Sequence, residues 1–520
     1  MDRRKFIKWG GIAIPIAGVL SVGVIELFDK KKPKAETPST SVSPKGEKAD
    51  YTIRIATGLI EVGPQHIIST TTYNGQFPGP LLRFKEGRRT IVDIYNDTDV
   101  PEQFHWHGQF LSTAIDGAVE EKTPYIPARG MRREVFEPKP SGFRFYHTHL
   151  APGANLNAGQ YTGEVGPVYI EPKNKLDDYD REEFIVLKEF DPYFMRGGDM
   201  AKDFLSGEAI EELKAMEENA GKKHGTIPGP VCGGAPQPGK KDGKEVGAMP
   251  KGYEVGYKIF TINGNQLGHG APVSVKKGER ILFHILNGSA TEIRSLALPG
   301  HTFKVVALDG NPVPNAAEIP VLWIGTAERI SAIVEMNGPG AWIMGDLDDD
   351  DRGNGMGIVV EYEGHKGDKP QWLTPKPFKW DYCLFGKPNG NVQKPDEIIE
   401  MLFAKQNGAD KGFNRWTING KAFDMMDMAP MFHLKEGKRY RLHMRNASDD
   451  IHPMHLHRHS FEITKIGGKA TSGIIKDVVM LGGFQEADID FTANNPGLTL
   501  FHCHMQIHMD FGFMAVFDYV

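Results

Sequence analysis

The stretch Phe501-His502-Cys503-His504-Met505-Gln506-Ile507-His508 sets three histidines around one cysteine. Cys503 and His508 offer a thiolate and an imidazole, a soft and borderline donor pair suited to a blue copper centre. If the segment is a strand, His502 and His504 point to the face opposite Cys503, because side chains alternate. One strand then serves two metal sites, with the Cys503 backbone as the bridge. Alone, His-Cys-His could equally be a zinc site or a coincidence. Its companions argue otherwise: His105-Trp106-His107, His147-Thr148-His149 and His452-Pro453-Met454-His455-Leu456-His457 bring the gathered set to ten of the 19 His and one of the 3 Cys.

An internal repeat must position these motifs. Each copy opens with Asn-Gly, at Asn74-Gly75, Asn263-Gly264 and Asn419-Gly420, and each has a Gly turn nine residues before an Asn (Gly87 to Asn96, Gly278 to Asn287, Gly437 to Asn446). Alternating strands run between, such as Arg89 to Ile94 and Arg280 to Ile285. Many short strands with Gly/Pro turns predict β-sandwiches. Nine residues past the Asn stand His105 and His455, but Leu296 in the middle copy; five past a later Gly stand His147 and His502, but Gly345 in the middle copy. Metal is thereby confined to copies one and three. Their complementary His-x-His pairs make a site between them the natural closure.

These four motifs, in this order, resemble the multicopper oxidases, specifically the three-domain laccase-like group, over roughly residues 50–520. The resemblance implies an all-β fold of three consecutive cupredoxin-like Greek-key β-sandwich domains, at 50–172, 173–372 and 373–520. A partly helical insertion at about 195–252 interrupts the middle one, with Asp203 to Asn219 as a candidate helix and Lys222 to Gly252 as loop. It could cover a substrate mouth or be surface decoration. Four copper ions are implied: one type 1, one type 2 and a type 3 pair. By family pattern His452, Cys503 and His508 hold type 1. His105 and His455 hold type 2, and His107, His147, His149, His457, His502 and His504 hold type 3. The axial position falls on Phe513, which cannot donate, so the potential should be raised relative to a Met-ligated site. Met514 is adjacent but points the other way on a strand. Reduction of O2 to two waters takes four electrons, which matches four coppers, with Cys503 as the wire.

Asp116, in Ala114-Ile115-Asp116-Gly117, matches the acidic residue of the family near the cluster and is the candidate for proton supply, against a plain Asp-Gly turn. Some relatives carry Glu directly after the last blue-copper His; here Met509 and then Asp510 follow, which leaves a second relay carboxylate open. Arg458 stands where relatives often have Gly. His301 and His459, each in His-x-Phe, read as packing residues, and His66, His224, His269, His365, His433 and His443 as surface or structural.

His508 is the expected edge for electron entry from a phenol or aromatic amine. Eleven of 20 Met fall in 401–520, with Met425, Met426, Met428 and Met431 close together among Asp424 and Asp427. Thioether favours Cu(I), so oxidation of cuprous or another metal ion is the alternative; core filling is the bland reading. A copper-binding scaffold without activity should lack ligands, and this chain keeps them all. A copper nitrite reductase would have two such domains.

At the N-terminus Asp2-Arg3-Arg4-Lys5-Phe6-Ile7-Lys8 precedes an uncharged run from Trp9 to Val24, which reads as a twin-arginine export signal or anchor over 1–28, followed by a flexible linker over 29–49. An extracytoplasmic body follows as the expectation, with an N-terminal membrane tether left open, and a monomer. The first 48 residues hold 10 basic and 5 acidic side chains, so the net −6 becomes near −11 for the body. With no basic aromatic stripe, that excludes a nucleic-acid partner. Cys503 being committed to metal, Cys232–Cys383 is the one disulfide the chain could form, and nothing but the export signal favours it.

Overall fold

The alternating segments become strands whose burial follows their neighbours. In Arg439–Asn446 buried residues alternate with partly exposed ones, as on a half-buried strand. Its counterpart Arg280–Asn287 is buried on both faces beyond Arg280, because its outer side meets another sandwich: His284 packs 5.3 Å from Phe143 and 4.9 Å from Tyr169 between ring centres. In this computed structural model, residues 46–173, 178–196, 240–241, 244–245, 252–388 and 392–520 are described.

Three pairs of sheets follow one another along the chain. A four-stranded sheet around Tyr51–Gly63 and Thr90–Asn96 pairs with a four-stranded sheet holding His105–His107 and Gly142–His147. Ile53, Phe84, Ile94, Trp106 and Tyr146 fill the space between them. A six-stranded sheet around Arg280–Asn287 and Arg329–Glu335 goes with a five-stranded one around Arg294–Ala297 and Ala341–Gly345. The last pair joins eight strands around Glu397–Asp410 to five that include His452–Leu456, Thr499–Cys503 and Met514–Tyr519. Two of those eight strands, Tyr193–Arg196 and Tyr253–Gly256, are the flanks of the 195–252 insertion. They reach the third sandwich through the parallel pairing of Tyr253 with Phe413.

The register shows the repeat and its break. His105 pairs with His147 and His455 with His502, whereas in the middle copy Gly345 pairs with Ala297, one residue beyond the position that sequence offsets give. A one-residue slip exchanges the faces of a strand. Leu296, Ala297 and Leu298 are all buried in the core there.

The export segment, most of the 29–49 linker, the Asp203–Asn219 helix and Cys232 lie outside the described residues, so the proposed pairing with Cys383 does too. Among the described residues no helix is long and apolar enough to cross a membrane.

Candidate metal centre

The strand Thr499–Cys503 ends at its cysteine, sooner than the alternating-strand expectation for His502 to His504 requires. His504 lies just past it, and the single-turn helix Gln506–Asp510 turns His508 back toward the sulfur. His508 Nδ1 stands 3.5 Å and His452 Nδ1 3.7 Å from Cys503 Sγ. All three residues are buried. Ser448 Oγ contacts His452 Nε2 at 2.9 Å, leaving Nδ1 toward the sulfur. Burial pushes the Cys503 thiol well up, while the Met505 N–H hydrogen-bonds it and lowers it in part. A buried thiol in that state is a proton holder unless a metal takes the proton's place. Phe513 stacks on Trp416 at 5.5 Å and meets the His452 ring edge-on at 4.8 Å. Met514 packs instead with Leu500, Met509 and Val516.

The four His-x-His pairs converge across the first and third sandwiches, and all eight rings are buried. His105 stacks on His457 at 4.1 Å and His107 on His455 at 3.8 Å. His149, His457 and His502 bring ligand atoms within 4.8 Å of one another. His107 Nδ1 lies 3.4 Å from His147 Nε2, and the His504 ring is 5.1 Å and 5.0 Å from those two. His105 and His455 come together with His457 in a further group.

The outer ring nitrogens are held in a consistent way. Nδ1 of His105 and of His455 donates to the backbone oxygens of Asp116 and Asp477, both at 2.7 Å. Nδ1 of His147 and of His502 donates to the carbonyls of Thr148 and Cys503. Nδ1 of His457 donates to Asp116 Oδ2 at 2.9 Å. Each of these five therefore offers Nε2 inward. His107 is reversed: its Nε2 donates to Asp477 Oδ1 at 3.0 Å and Nδ1 faces inward. Hydrogen bonds of this kind fix a ligand's tautomer and direction.

Two local glycines make these approaches. Gly108, at φ +77°, would with a Cβ meet Asp477 Oδ2 at 2.7 Å and Arg329 Nη2 at 2.8 Å. Gly117, at φ +105°, would meet the Phe104 carbonyl at 2.1 Å, so only glycine lets Asp116 reach the ligand strand.

Whether the site suits copper is answered by its donor atoms. The Nε2 atoms of His105, His455 and His508 and both ring nitrogens of His149 and His504 are buried without a hydrogen-bond partner. Such orphans cost free energy unless something binds them. Burial and neighbouring imidazoles hold His107, His147, His149, His455, His457 and His504 well below the usual histidine range. Burial takes His502 and His508 to about 3. Neutral imidazoles with free lone pairs and one thiol are the donor set copper prefers.

Asp116 is buried with Oδ2 3.2 Å from His105 Nδ1. Two acids that sequence reasoning missed lie beside the histidine cluster. Glu121 Oε1 accepts from the Leu500 N–H at 2.7 Å and lies 3.7 Å from His457 Nδ1. Its carboxyl is raised well above the usual range, by burial first and then by Asp116. Glu120 Oε2 is 3.6 Å from His149 Nδ1, and burial pushes it up to about 7. The signal was Glu-Glu just after Asp-Gly in a stretch otherwise turning inward. Asp510 Oδ1 accepts from Gln506 Nε2 at 2.8 Å and its Oδ2 from the Gly153 N–H at 3.0 Å, and burial raises it well above the carboxylate range. Also missed was Asp477, which with Lys476 interrupts the apolar run from Ile474 to Leu481.

Buried Arg458, at φ +58°, donates to the carbonyls of Leu111, Asn495, Pro496 and Leu498. It ties the third sandwich to the loop after His107. His301 and His459 bond the hydroxyls of Tyr362 and Tyr519, as packing residues do. Of the clustered methionines, Met428 and Met431 pack against Met509 and Met514, while Met425 and Met426 are 45% and 92% exposed.

Cupredoxin-like sandwiches carrying a His-Cys-His set and an inter-sandwich histidine cluster define a copper-binding oxidoreductase. Three family models described as multicopper oxidase match residues 57–175, 239–364 and 396–520. The chain belongs to the multicopper oxidases. It is 26% identical to multicopper oxidase MmcO of Mycobacterium tuberculosis, over 100% of this chain and 98% of that protein. It is 22% identical to Laccase-2 of Fomitopsis schrenkii, over 85% of this chain and 84% of that one. Among solved structures, the multicopper oxidase of Campylobacter jejuni, described as a metallo-oxidase, superposes with a TM-score of 0.63 at 18% identity, covering 92% of each chain.

Proposed function

We propose that this enzyme couples four one-electron oxidations of a phenol or aromatic amine to reduction of O2 to two H2O. The three domains are residues 50–172, 173–372 and 373–520, acting outside the cytoplasm. Four coppers would be held, type 1 by His452, Cys503 and His508, and type 2 by His105 and His455. The type 3 pair falls to His107, His147 and His504 on one side and His149, His457 and His502 on the other. Bound copper supplies the one-electron couple and the site for oxygen. The chain's own residues do the rest. The Cys503 peptide joins the two ligand sets, since His502 and His504 are its direct neighbours. Asp116 Oδ2, which accepts from His457 Nδ1 and lies beside His105 Nδ1, links the cluster to Glu121, whose carboxyl burial raises well above the usual range and which can hold the proton to be supplied. Trp416, 4.2 Å from the His508 ring, and buried Phe513 keep water from the thiolate.

The observation that supports an organic reductant is the ring of Phe513, packed on Trp416 and His452 where a donor would otherwise stand. Without that donor Cu(II) is disfavoured relative to Cu(I), which suits weakly reducing substrates. Near the same edge, Glu254 Oε2 lies 3.9 Å from His508 Nε2.

One observation favours the second reading, oxidation of Cu(I). Exposed Met425 and Met426 stand between Asp424 and Asp427, beside a cleft of about 380 Å³ lined by Phe423, Asp424, Asp510 and Phe511. Oxygen consumption by the copper-loaded enzyme separates the two. Rapid turnover of 2,6-dimethoxyphenol without added copper supports the laccase-type reading. Efficient turnover of Cu(I) from a weak chelator, with phenol oxidised only in excess Cu(II), replaces it with the metal-ion one.

A further inference from the structure

Among its described residues the second sandwich supplies no candidate copper ligand, yet it grips the residue that orients two of them. Asp477 sits between the strands Lys469–Lys476 and Val478–Leu481 of the third sandwich. Its backbone oxygen accepts from His455 Nδ1, and its Oδ1 accepts from His107 Nε2. It therefore touches one ligand from each metal-bearing sandwich. Arg329, at the start of Arg329–Glu335 in the second sandwich, holds that carboxylate with both guanidinium nitrogens, Nη1 to Oδ1 at 2.7 Å and Nη2 to Oδ2 at 2.6 Å. Asp309, also of the second sandwich, accepts from the N–H groups of Asp477 and Val478 through Oδ2, and from the Arg329 N–H through Oδ1. Arg144 of the first sandwich adds a contact at 3.3 Å. Arg329, Asp309, Asp477 and Arg144 are all fully buried.

We propose that Arg329 is a positioning residue of the histidine cluster. Acting through Asp477, it fixes His107 in the tautomer that presents Nδ1 inward. A carboxylate clamped on both oxygens in a two-pronged pair has one orientation. His107 Nε2 then has a fixed acceptor and must carry its proton there, so the lone pair falls on Nδ1. The five rings tied through Nδ1 show the alternative that His107 would be free to take. A lysine at 329 keeps the charge but cannot grip both oxygens. The middle sandwich is on this view a working part of a centre whose metals it does not bind. The proposal rests on the ligand assignment made above.

The test uses the copper-loaded full chain with Arg329→Lys, and Asp477→Asn as a second variant. Copper per chain, the type 2 EPR spectrum and the count of EPR-silent copper are read beside thermal stability and the blue absorbance. Support is an unchanged blue band with a loss of one or more cluster coppers, or with EPR-silent copper turned EPR-visible, larger in Asp477→Asn than in Arg329→Lys. Both variants folding with wild-type copper content and spectra would overturn it. If neither folds, nitrogen-15 histidine NMR of the copper-free wild type decides: a proton on His107 Nε2 supports the proposal and one on Nδ1 overturns it. A wild type that keeps its blue copper but takes up none at the cluster would instead sink the ligand assignment, and this inference with it.

Discussion

The two ligand sets differ in how many sandwiches make them. His452, Cys503 and His508 come from one sandwich, two neighbouring strands and a turn of helix, with the two imidazoles within 3.7 Å of the sulfur. The eight-histidine site draws its rings from two sandwiches and the clamp on Asp477 from the third. A centre built within one domain depends on local register; a centre built between domains depends on every interface that sets their spacing. The second therefore needs buried charge pairs. Such pairs are a weak source of net stability, but removing one partner is costly because the other is left buried and alone.

The sharpest way to part the two sites is Cys503→Ser. The blue absorbance at about 600 nm and reductant-driven oxygen uptake should fall to background while most cluster copper stays. Loss of all copper, by metal analysis, would show that the sites are not separable. Next in size is Asp116→Asn, which touches only the eight-histidine side. Oxygen reduction should slow by roughly 10²-fold or more, the range of a lost acid–base residue, with the blue band intact. Single-turnover reoxidation kinetics would show this.

A third test probes the wall behind the cluster. Glu102, hydrogen-bonded to Thr148 between His147 and His149, is pushed up to about 7 by burial. Its folded value lies above the unfolded one, so its contribution is full below the unfolded pKa and is lost as pH rises through about 7. Glu102→Gln stays neutral and escapes that loss. It should be more stable than wild type by up to about 3 kcal/mol near pH 8, with little gain near pH 4, as read by denaturant unfolding. The smallest effect is on the other site. Phe513→Met should lower the type 1 potential and slow weakly reducing phenols several-fold, leaving reoxidation of the cluster unchanged.

The first of these sites was almost fully legible. His452, Cys503, His508 and the Phe513 position were named through the family resemblance, and the fold brings the first three together. The eight cluster histidines were legible as types and pairs, because the repeat puts them at matched offsets. Their partners were not. Glu120, Glu121, Asp477 and Arg329 lie far apart in sequence from the rings they serve, and an acid beside a buried histidine has no periodic signature. The strand was also expected to run through His504, but it ends at Cys503 and the helix Gln506–Asp510 follows.

By itself the sequence determined the inventory of histidine pairs and the cysteine among them, the three-fold repeat and the copy that lacks those pairs, because residue type and side-chain alternation are local properties. Only the tertiary structure decided which nitrogen each histidine offers and which carboxylates stand beside the cluster. It alone showed that Arg329 and Asp309 of the second sandwich hold Asp477 in place. Those facts depend on the packing of three sandwiches against one another, and hydrogen-bond partners across such interfaces are set by distance in space, not along the chain.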